Sequence, residues 1–248
     1  SAEETAETES TEQTESDFEE NTEQIETDAG QEETQNPYIR EKEPYTGVPV
    51  YENLEHIYMN TTWEYADHSA ISDGYAVLYK ASGQRKNIVV GVNAGHGTAG
   101  GSAVRTLCHP DGSPKSTGGS TAAGAATATA VSGGMTFYDG TPESEVTLKM
   151  AEILRDKLLL EGYDVLMIRD GSDVQLDNVA RTVMANNKAD CHIALHWDST
   201  KTDKGAFYMS VPNNAAYRAM EPVASHWESH NKLGSALVGG LKQNGVKI

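Results

Sequence analysis

From residue 87 onward, short apolar runs alternate with longer stretches in which apolar residues recur every three or four positions. The short runs predict strands at 88–92, 163–168, 192–196 and 206–211, and the longer stretches predict helices at about 142–162, 174–188 and 225–241. Strands that alternate with helices are typical of a parallel sheet with helices packed against it. We therefore predict an α/β fold, with a mostly parallel twisted sheet and helices on both faces.

The first predicted helix carries both a start signal and an apolar stripe. Thr141 is suited to the N-cap, and Pro142 is suited to the first helical position because its fixed φ matches a helix and its missing N–H would be unpaired there. The stripe that we expect to face the sheet consists of Val146, Met150, Ile153, Leu154 and Leu158.

Two segments do not follow this alternation. Residues 97–140 are rich in Gly, Ser, Thr and Ala and show no helical or strand period, so we predict an irregular insertion, either a lid over a site or a plain flexible loop. Residues 37–86 mix aromatic residues with turn formers and contain one strand pattern at 74–80, so we expect a collar packed on the main domain.

The first 36 residues differ from the rest in charge. They contain 14 Asp or Glu and no Lys or Arg, so they have too few apolar side chains to form a core, and we predict a disordered acidic tether. The other 212 residues carry 23 acidic and 19 basic side chains, a net charge near −4 rather than −18. This balance argues against a nucleic-acid-binding surface. The expected domains are therefore 1–36, the collar 37–86 and a catalytic domain at 87–248.

No apolar run approaches the roughly 18–20 residues of a membrane span, and no apolar signal segment is present. An acidic, Thr-rich leader suits a secreted or cell-envelope protein whose export signal or membrane anchor lay upstream. The alternative is a cytosolic protein with an acidic interaction tail. We expect the chain to be a monomer.

Three candidate metal ligands lie at the ends of predicted elements. His96 follows the strand at 88–92, His196 ends the strand at 192–196, and Glu143 lies in the first turn of the intervening helix. Parallel strands end at the same edge of a sheet, so the two imidazoles are expected to converge there, with the carboxylate in reach. Each residue alone has an ordinary structural explanation. Together they match the usual ligand set of a catalytic zinc ion with one open position.

These pieces resemble a known family over about 110 residues. The matching stretches are Ala94-Gly95-His96-Gly97, the helix start from Glu143 to Leu148, Gly162 to Asp170, Arg181 to Asn186, and Ala189-Asp190 with Ile193 to His196. They are similar to the zinc-dependent N-acetylmuramoyl-L-alanine amidases often called type 3 amidases. The resemblance implies that His96, Glu143 and His196 hold Zn²⁺. It also implies that the substrate is peptidoglycan, cut at the amide between the lactyl group of N-acetylmuramic acid and L-alanine.

The chain departs from the family pattern in its general base. Family members carry a second glutamate on a later strand, and the sequence stops at Ile248 before any such segment. We therefore expect that the catalytic domain is incomplete at its C-terminus and lacks this glutamate, with Glu145 or Asp198 as weak substitutes. Trp197 stands where the family usually has a small residue; it could stack on a sugar ring or simply close the core.

Two other functions remain open at this point. One is a non-catalytic cell-wall-binding module that kept the fold without the base. The other is a zinc peptidase or deacylase for another substrate class, because metal ligands alone do not identify the bond that is cut.

Overall fold

A computed structural model of the chain describes residues 51–200 and 202–248. The predicted tether at 1–36 and the first part of the collar lie outside these residues. The strands are β1 (Tyr51–Tyr58), β2 (Tyr75–Ala81), β3 (Val89–Ala94), β4 (Arg105–Leu107), β5 (Thr127–Thr129), β6 (Asp164–Met167) and β7 (Cys191–Leu195). The helices are α1 (Glu143–Leu160), α2 (Asn178–Lys188), α3 (Ala215–Arg218) and α4 (Val223–Gln243).

The main sheet has five strands in the order β1-β2-β6-β3-β7. β6, β3 and β7 are parallel, whereas β2 pairs antiparallel with both β1 and β6. The prediction of a mostly parallel sheet was therefore wrong, and the sheet is mixed. The reason lies in the described part of the collar, which contributes β1 and β2 to the sheet. β1 was missed because most of its side chains are exposed, as at an edge strand.

Helices cover both faces of the sheet, as predicted. Along β6, Val165 and Met167 pack into a core with α1, whereas Leu166 and Ile168 pack into a second core with α2. This alternation follows from the two-residue period of a strand, and it explains why β6 is apolar at every position but the first.

The face of α1 that contacts the sheet differs from the predicted stripe. Met150 and Ile153 are 40% and 39% exposed, whereas Thr147 and Ala151 are fully buried. Small side chains let the helix axis approach the sheet closely, and hydrophobicity alone does not detect them. The helix also begins one residue later than predicted, with Pro142 at the N-cap.

Three further sequence predictions need correction. The helix predicted from residue 174 begins at Asn178, where the Asp177 side chain caps it by accepting a hydrogen bond from the Ala180 N–H at 2.8 Å. Residues 206–211 form no strand with any described residue. The insertion is not wholly irregular, because β4 and β5 pair antiparallel within it. Among the described helices, none is long and apolar enough to cross a membrane.

Candidate metal centre

The sheet brings the three predicted ligands to one edge. β3 and β7 are parallel neighbours with Ala94 opposite Leu195, so the residues that follow them leave the sheet side by side. The Gly95 N–H donates to the Leu195 carbonyl at 3.1 Å, which extends this pairing up to the ligands. Glu143 is the first residue of α1, at the same edge.

The three side chains meet closely. His96 Nε2 lies 2.9 Å from Glu143 Oε1 and 3.1 Å from His196 Nδ1, and His196 Nδ1 lies 3.0 Å from Glu143 Oε1. The imidazole rings are perpendicular, with centroids 4.7 Å apart. Gly95 makes this approach possible: a β-carbon at position 95 would lie 2.6 Å from His196 Nδ1, too close for any other residue.

This triangle of donor atoms fits a zinc ion. Tetrahedral zinc with bonds of about 2.0–2.1 Å holds its ligand atoms roughly 3.3 Å apart, a few tenths of an ångström more than the distances in the triangle. Two imidazole nitrogens and one carboxylate oxygen leave the fourth position open, as in catalytic zinc sites. Within the described residues, these three are the one cluster of His, Cys, Asp or Glu that could hold a metal.

Glu143 is held as an anion. Its side chain is buried, with 3% exposed. Oε2 accepts a hydrogen bond from the Met135 N–H at 2.9 Å, and Oε1 accepts one from the Trp197 N–H at 2.9 Å. Burial opposes ionisation, but these N–H donors and His96 outweigh it and lower the pKa of Glu143. With both oxygens engaged, the carboxylate is suited to be a ligand rather than a mobile base.

The backbone orients His96. Its Nδ1 lies 2.8 Å from the Ser132 carbonyl oxygen, which can only accept, so Nδ1 carries the proton and the Nε2 lone pair points toward Glu143 and His196. Such a contact to the second ring nitrogen is usual for zinc-binding histidines. His96 itself has φ +65°, a left-handed conformation that a non-glycine residue adopts only when its surroundings enforce it.

His196 is the open side of the centre. Its side chain is 50% exposed, against 8% for His96. Partial burial and the neighbouring His96 lower the pKa of His196, although its contact with Glu143 opposes the shift. Its imidazole is therefore neutral at physiological pH, the form that binds a metal.

The insertion at 97–140 forms one wall of the centre, which sequence reasoning did not show. It supplies the Ser132 carbonyl and the Met135 N–H described above, and Gly134 between them lies against both His96 and Glu143. A β-carbon at position 134 would lie 2.8 Å from His96 Nε2 and 2.8 Å from Glu143 Oε2. The insertion also carries Phe137, whose ring packs edge-on against Trp197 with centroids 6.3 Å apart.

A groove of about 290 Å³ lies beside the centre; Gly97 and Ser144, the residues after His96 and Glu143, line it together with Ser132 of the insertion, whereas the three candidate ligands themselves do not. The groove lining contains no Lys or Arg. Its polar side chains are five hydroxyl groups and one carboxylate, which belong to Thr98, Ser102, Ser132, Ser144, Ser172 and Asp173. Such a surface offers hydrogen bonds to neutral polar groups and no counter-charge for an anion.

The two substitute bases lie outside the cluster of ligands. Glu145 is exposed, and since successive helical residues turn by about 100°, it projects to the side of α1 away from Glu143. Asp198 is exposed two residues after His196 and pairs with Lys204 at 3.6 Å. Neither carboxylate hydrogen-bonds to a ligand in the described residues. The expectation of a general-base glutamate missing from the chain stays a prediction.

Of the comparisons with known proteins, the one with family models gave a match. Searches of curated proteins and of solved structures gave no significant match. The sequence model of the family described as N-acetylmuramoyl-L-alanine amidase matches residues 90–245, well over half of the chain, including all three ligands. The chain therefore belongs to the N-acetylmuramoyl-L-alanine amidase family.

Proposed function

We propose that this protein is a zinc-dependent hydrolase of peptidoglycan that cuts the amide between the lactyl group of N-acetylmuramic acid and L-alanine. The observation that carries the proposal is the meeting of His96, Glu143 and His196 within 3.1 Å of one another in a chain of this family. Bound zinc would lower the pKa of a water molecule and polarise the amide carbonyl.

The residues around the ligands support this use of the site. The Ser132 carbonyl holds the proton of His96 on Nδ1, and the N–H groups of Met135 and Trp197 hold Glu143 ionised. All three contacts come from the backbone, so the ligand set is preorganised before substrate binds. The exposed face of His196 leaves room for the scissile amide.

The groove suits the sugar side of the substrate better than the peptide side. A stem peptide carries carboxylates, which a groove without Lys or Arg and with Asp173 would disfavour. Sugar hydroxyl and acetamido groups are neutral and match its serine hydroxyls. We propose that Trp197, supported by Phe137, stacks on a ring of the substrate.

A general base near the ligands must take the proton of the attacking water and then, as an acid, deliver it to the leaving nitrogen. Asp198 follows His196 on the exposed side and is the better placed of the two substitutes, because Glu145 projects to the other side of α1. Activity should be measured in Asp198→Asn and Glu145→Gln with zinc content checked. Loss in Asp198→Asn alone would identify the base, whereas full activity in both variants would exclude both substitutes.

The decisive experiment is digestion of purified peptidoglycan by zinc-loaded protein. An amidase must release intact stem peptides with new L-alanine amino termini and create no new reducing sugar ends. His96→Ala and His196→Ala should lose both the zinc and the activity, whereas His226→Ala, an exposed histidine on α4, should keep both. Zinc binding without any cleavage would favour the wall-binding module, and cleavage of other acyl-amino bonds would favour a peptidase or deacylase.

Peptidoglycan lies outside the cytoplasmic membrane, so we propose that the protein acts in the extracellular space or cell envelope. Fractionation of cells expressing the full-length protein, followed by immunodetection, tests this location.

A further inference from the structure

Two arginines are buried directly behind the metal centre. Arg169, which follows β6, and Arg181, on α2, are 0% and 1% exposed, and neither forms a salt bridge within the described part of the chain. Burial lowers the pKa of each guanidinium to about 10, so both remain charged at neutral pH. A buried cation without a counter-ion is costly unless its donors are used, and here they are used on the segments that carry the ligands.

Arg169 connects the strand end that carries His96 to the helix start that carries Glu143. Its Nε donates to the Ala94 carbonyl at 3.0 Å, and its Nη2 lies 3.1 Å from the Gly95 carbonyl on the same segment. The same Nη2 lies 2.7 Å from the Ser144 carbonyl and 2.9 Å from Thr147 Oγ1, both in the first turns of α1. Thr147 Oγ1 lies 2.9 Å from the Gly95 carbonyl, which joins the two segments a second time.

Arg181 fixes the backbone of His96 itself. Its Nη2 donates to the His96 carbonyl at 2.7 Å and to Thr98 Oγ1 at 2.8 Å, while its Nη1 donates to the Ala94 carbonyl at 3.2 Å. These contacts hold the segment on both sides of His96, the residue with the left-handed conformation. The two guanidinium groups thus share the Ala94 carbonyl and otherwise contact different groups on one short turn.

We propose that Arg169 is a positioning residue for the metal centre, since one rigid guanidinium sets the spacing between His96 and Glu143. Arg181 assists by holding His96 in its left-handed conformation. The proposal rests on the proposed function only in taking the cluster as a zinc site. Metal sites tolerate errors of roughly 0.2 Å in ligand distance, so a small shift between β3 and α1 weakens binding. A lysine at position 169 keeps the charge but cannot reach two segments with a planar fork.

The test measures zinc affinity by competition with a chromophoric chelator, without any peptidoglycan. Arg169→Lys and Thr147→Val should each weaken zinc binding by about 10- to 100-fold, the usual effect of removing a partner that orients metal ligands. Arg155→Lys is the matched control: Arg155 lies on α1, like Thr147, but it contacts Asp156 and Asp170 rather than the end of β3 or the first turns of α1, where the candidate ligands lie. It should bind zinc as the wild type does. Denaturant unfolding of the zinc-free proteins separates this effect from a loss of fold.

A merely structural role predicts a lower unfolding midpoint with unchanged zinc affinity of the folded protein, and that result would overturn the proposal. If Arg169→Lys does not fold, Thr147→Val decides by the same criterion. Digestion of peptidoglycan by the wild type, run in parallel, keeps the two proposals apart. Weakened zinc binding in the variants with no cleavage by the wild type would overturn the proposed function and leave the positioning role standing. A wild type that binds no zinc would overturn both.

Discussion

Gly134 offers a sharp test of whether the insertion shapes the metal centre. It has φ +81°, a conformation that costs alanine about 1–2 kcal/mol, and a β-carbon there would lie 2.8 Å from both His96 Nε2 and Glu143 Oε2. Contacts this short do not occur, so in Gly134→Ala either the insertion or the ligands must move. Because Ser132 and Met135 flank this glycine and hold the ligands, either movement disturbs the site.

Gly140→Ala is the matched control. Gly140 lies in the same insertion and has φ +87°, but nothing lies within 4 Å of its β-carbon position. Both variants should lose about 1–2 kcal/mol of unfolding free energy from the backbone alone, measured by denaturant titration of the zinc-free proteins. Gly134→Ala should in addition bind zinc about 10- to 100-fold more weakly, measured by chelator competition. Equal zinc affinity in the two variants would refute the idea that the insertion forms a wall of the site.

Three further predictions concern capping, pH dependence and substrate binding. The buried carboxylate of Asp177 accepts hydrogen bonds from Ser69 Oγ and from the N–H groups of residues 70, 71 and 180. Asp177→Ala should therefore lower the unfolding free energy by about 2–4 kcal/mol. A loss below about 1 kcal/mol in urea titrations would contradict this role. Burial, with Arg181 and His230 nearby, lowers the pKa of His192 to about 4. Between pH 4 and about 6.5 the histidine is therefore protonated in the unfolded chain but neutral in the folded one. The unfolding free energy should rise with pH over that window, by at most about 3 kcal/mol. His192 Nε2 is also buried without a hydrogen-bond partner among the described residues. His192→Leu should therefore be at least as stable as the wild type at pH 7 and should lose this pH-dependent contribution. An unfolding free energy that changes with pH as steeply as in the wild type would argue against it. Trp197→Leu should raise KM for peptidoglycan fragments about tenfold, because the ring that would stack on the substrate is removed. The values of kcat and zinc content should not change, because residue 197 contacts Glu143 through its backbone N–H. An unchanged KM would exclude stacking.

The convergence of the three candidate ligands could be predicted because its signals are local. A strand followed by histidine places that side chain at the sheet edge, and right-handed crossovers through α1 and α2 make the two such strands, β3 and β7, point the same way. His96 and His196 follow this rule. Glu143 follows it as well, since a helix that crosses between parallel strands starts at the edge where the first strand ends.

The partners of the ligands left no such signal. Ser132 and Met135 contribute backbone atoms, which every residue type possesses, and their position depends on the path of a long insertion. Arg169 and Arg181 lie in stretches that resemble the family, but their polar sequence neighbours, such as Asp170 and Thr182, gave no sign that these two side chains are buried. Their hydrogen-bond partners depend on how three segments meet, which the sequence pattern does not specify.

The errors in the fold have a common cause, which is that strands depend on partners. β1 shows little apolar alternation and still forms, because β2 lies beside it. Residues 206–211 are mostly apolar and aromatic, yet the Ala206 N–H donates to the Lys247 carbonyl and the Val211 N–H donates to the Asn231 side chain. The pattern of apolar residues along a segment is therefore not enough to decide whether a strand forms, because strand formation depends on the neighbour available for pairing.

The use of backbone atoms to orient His96 and Glu143 has a consequence for how this protein can vary. Ser132 and Met135 could be exchanged for many residue types without loss of the carbonyl or the N–H, so identity at these positions is under weak constraint. The number of residues between 132 and 143 is under strong constraint, because one deletion there would move both contacts out of register with the ligands. In related proteins we expect the number of residues between positions 132 and 143 to be preserved even where the residue identities differ.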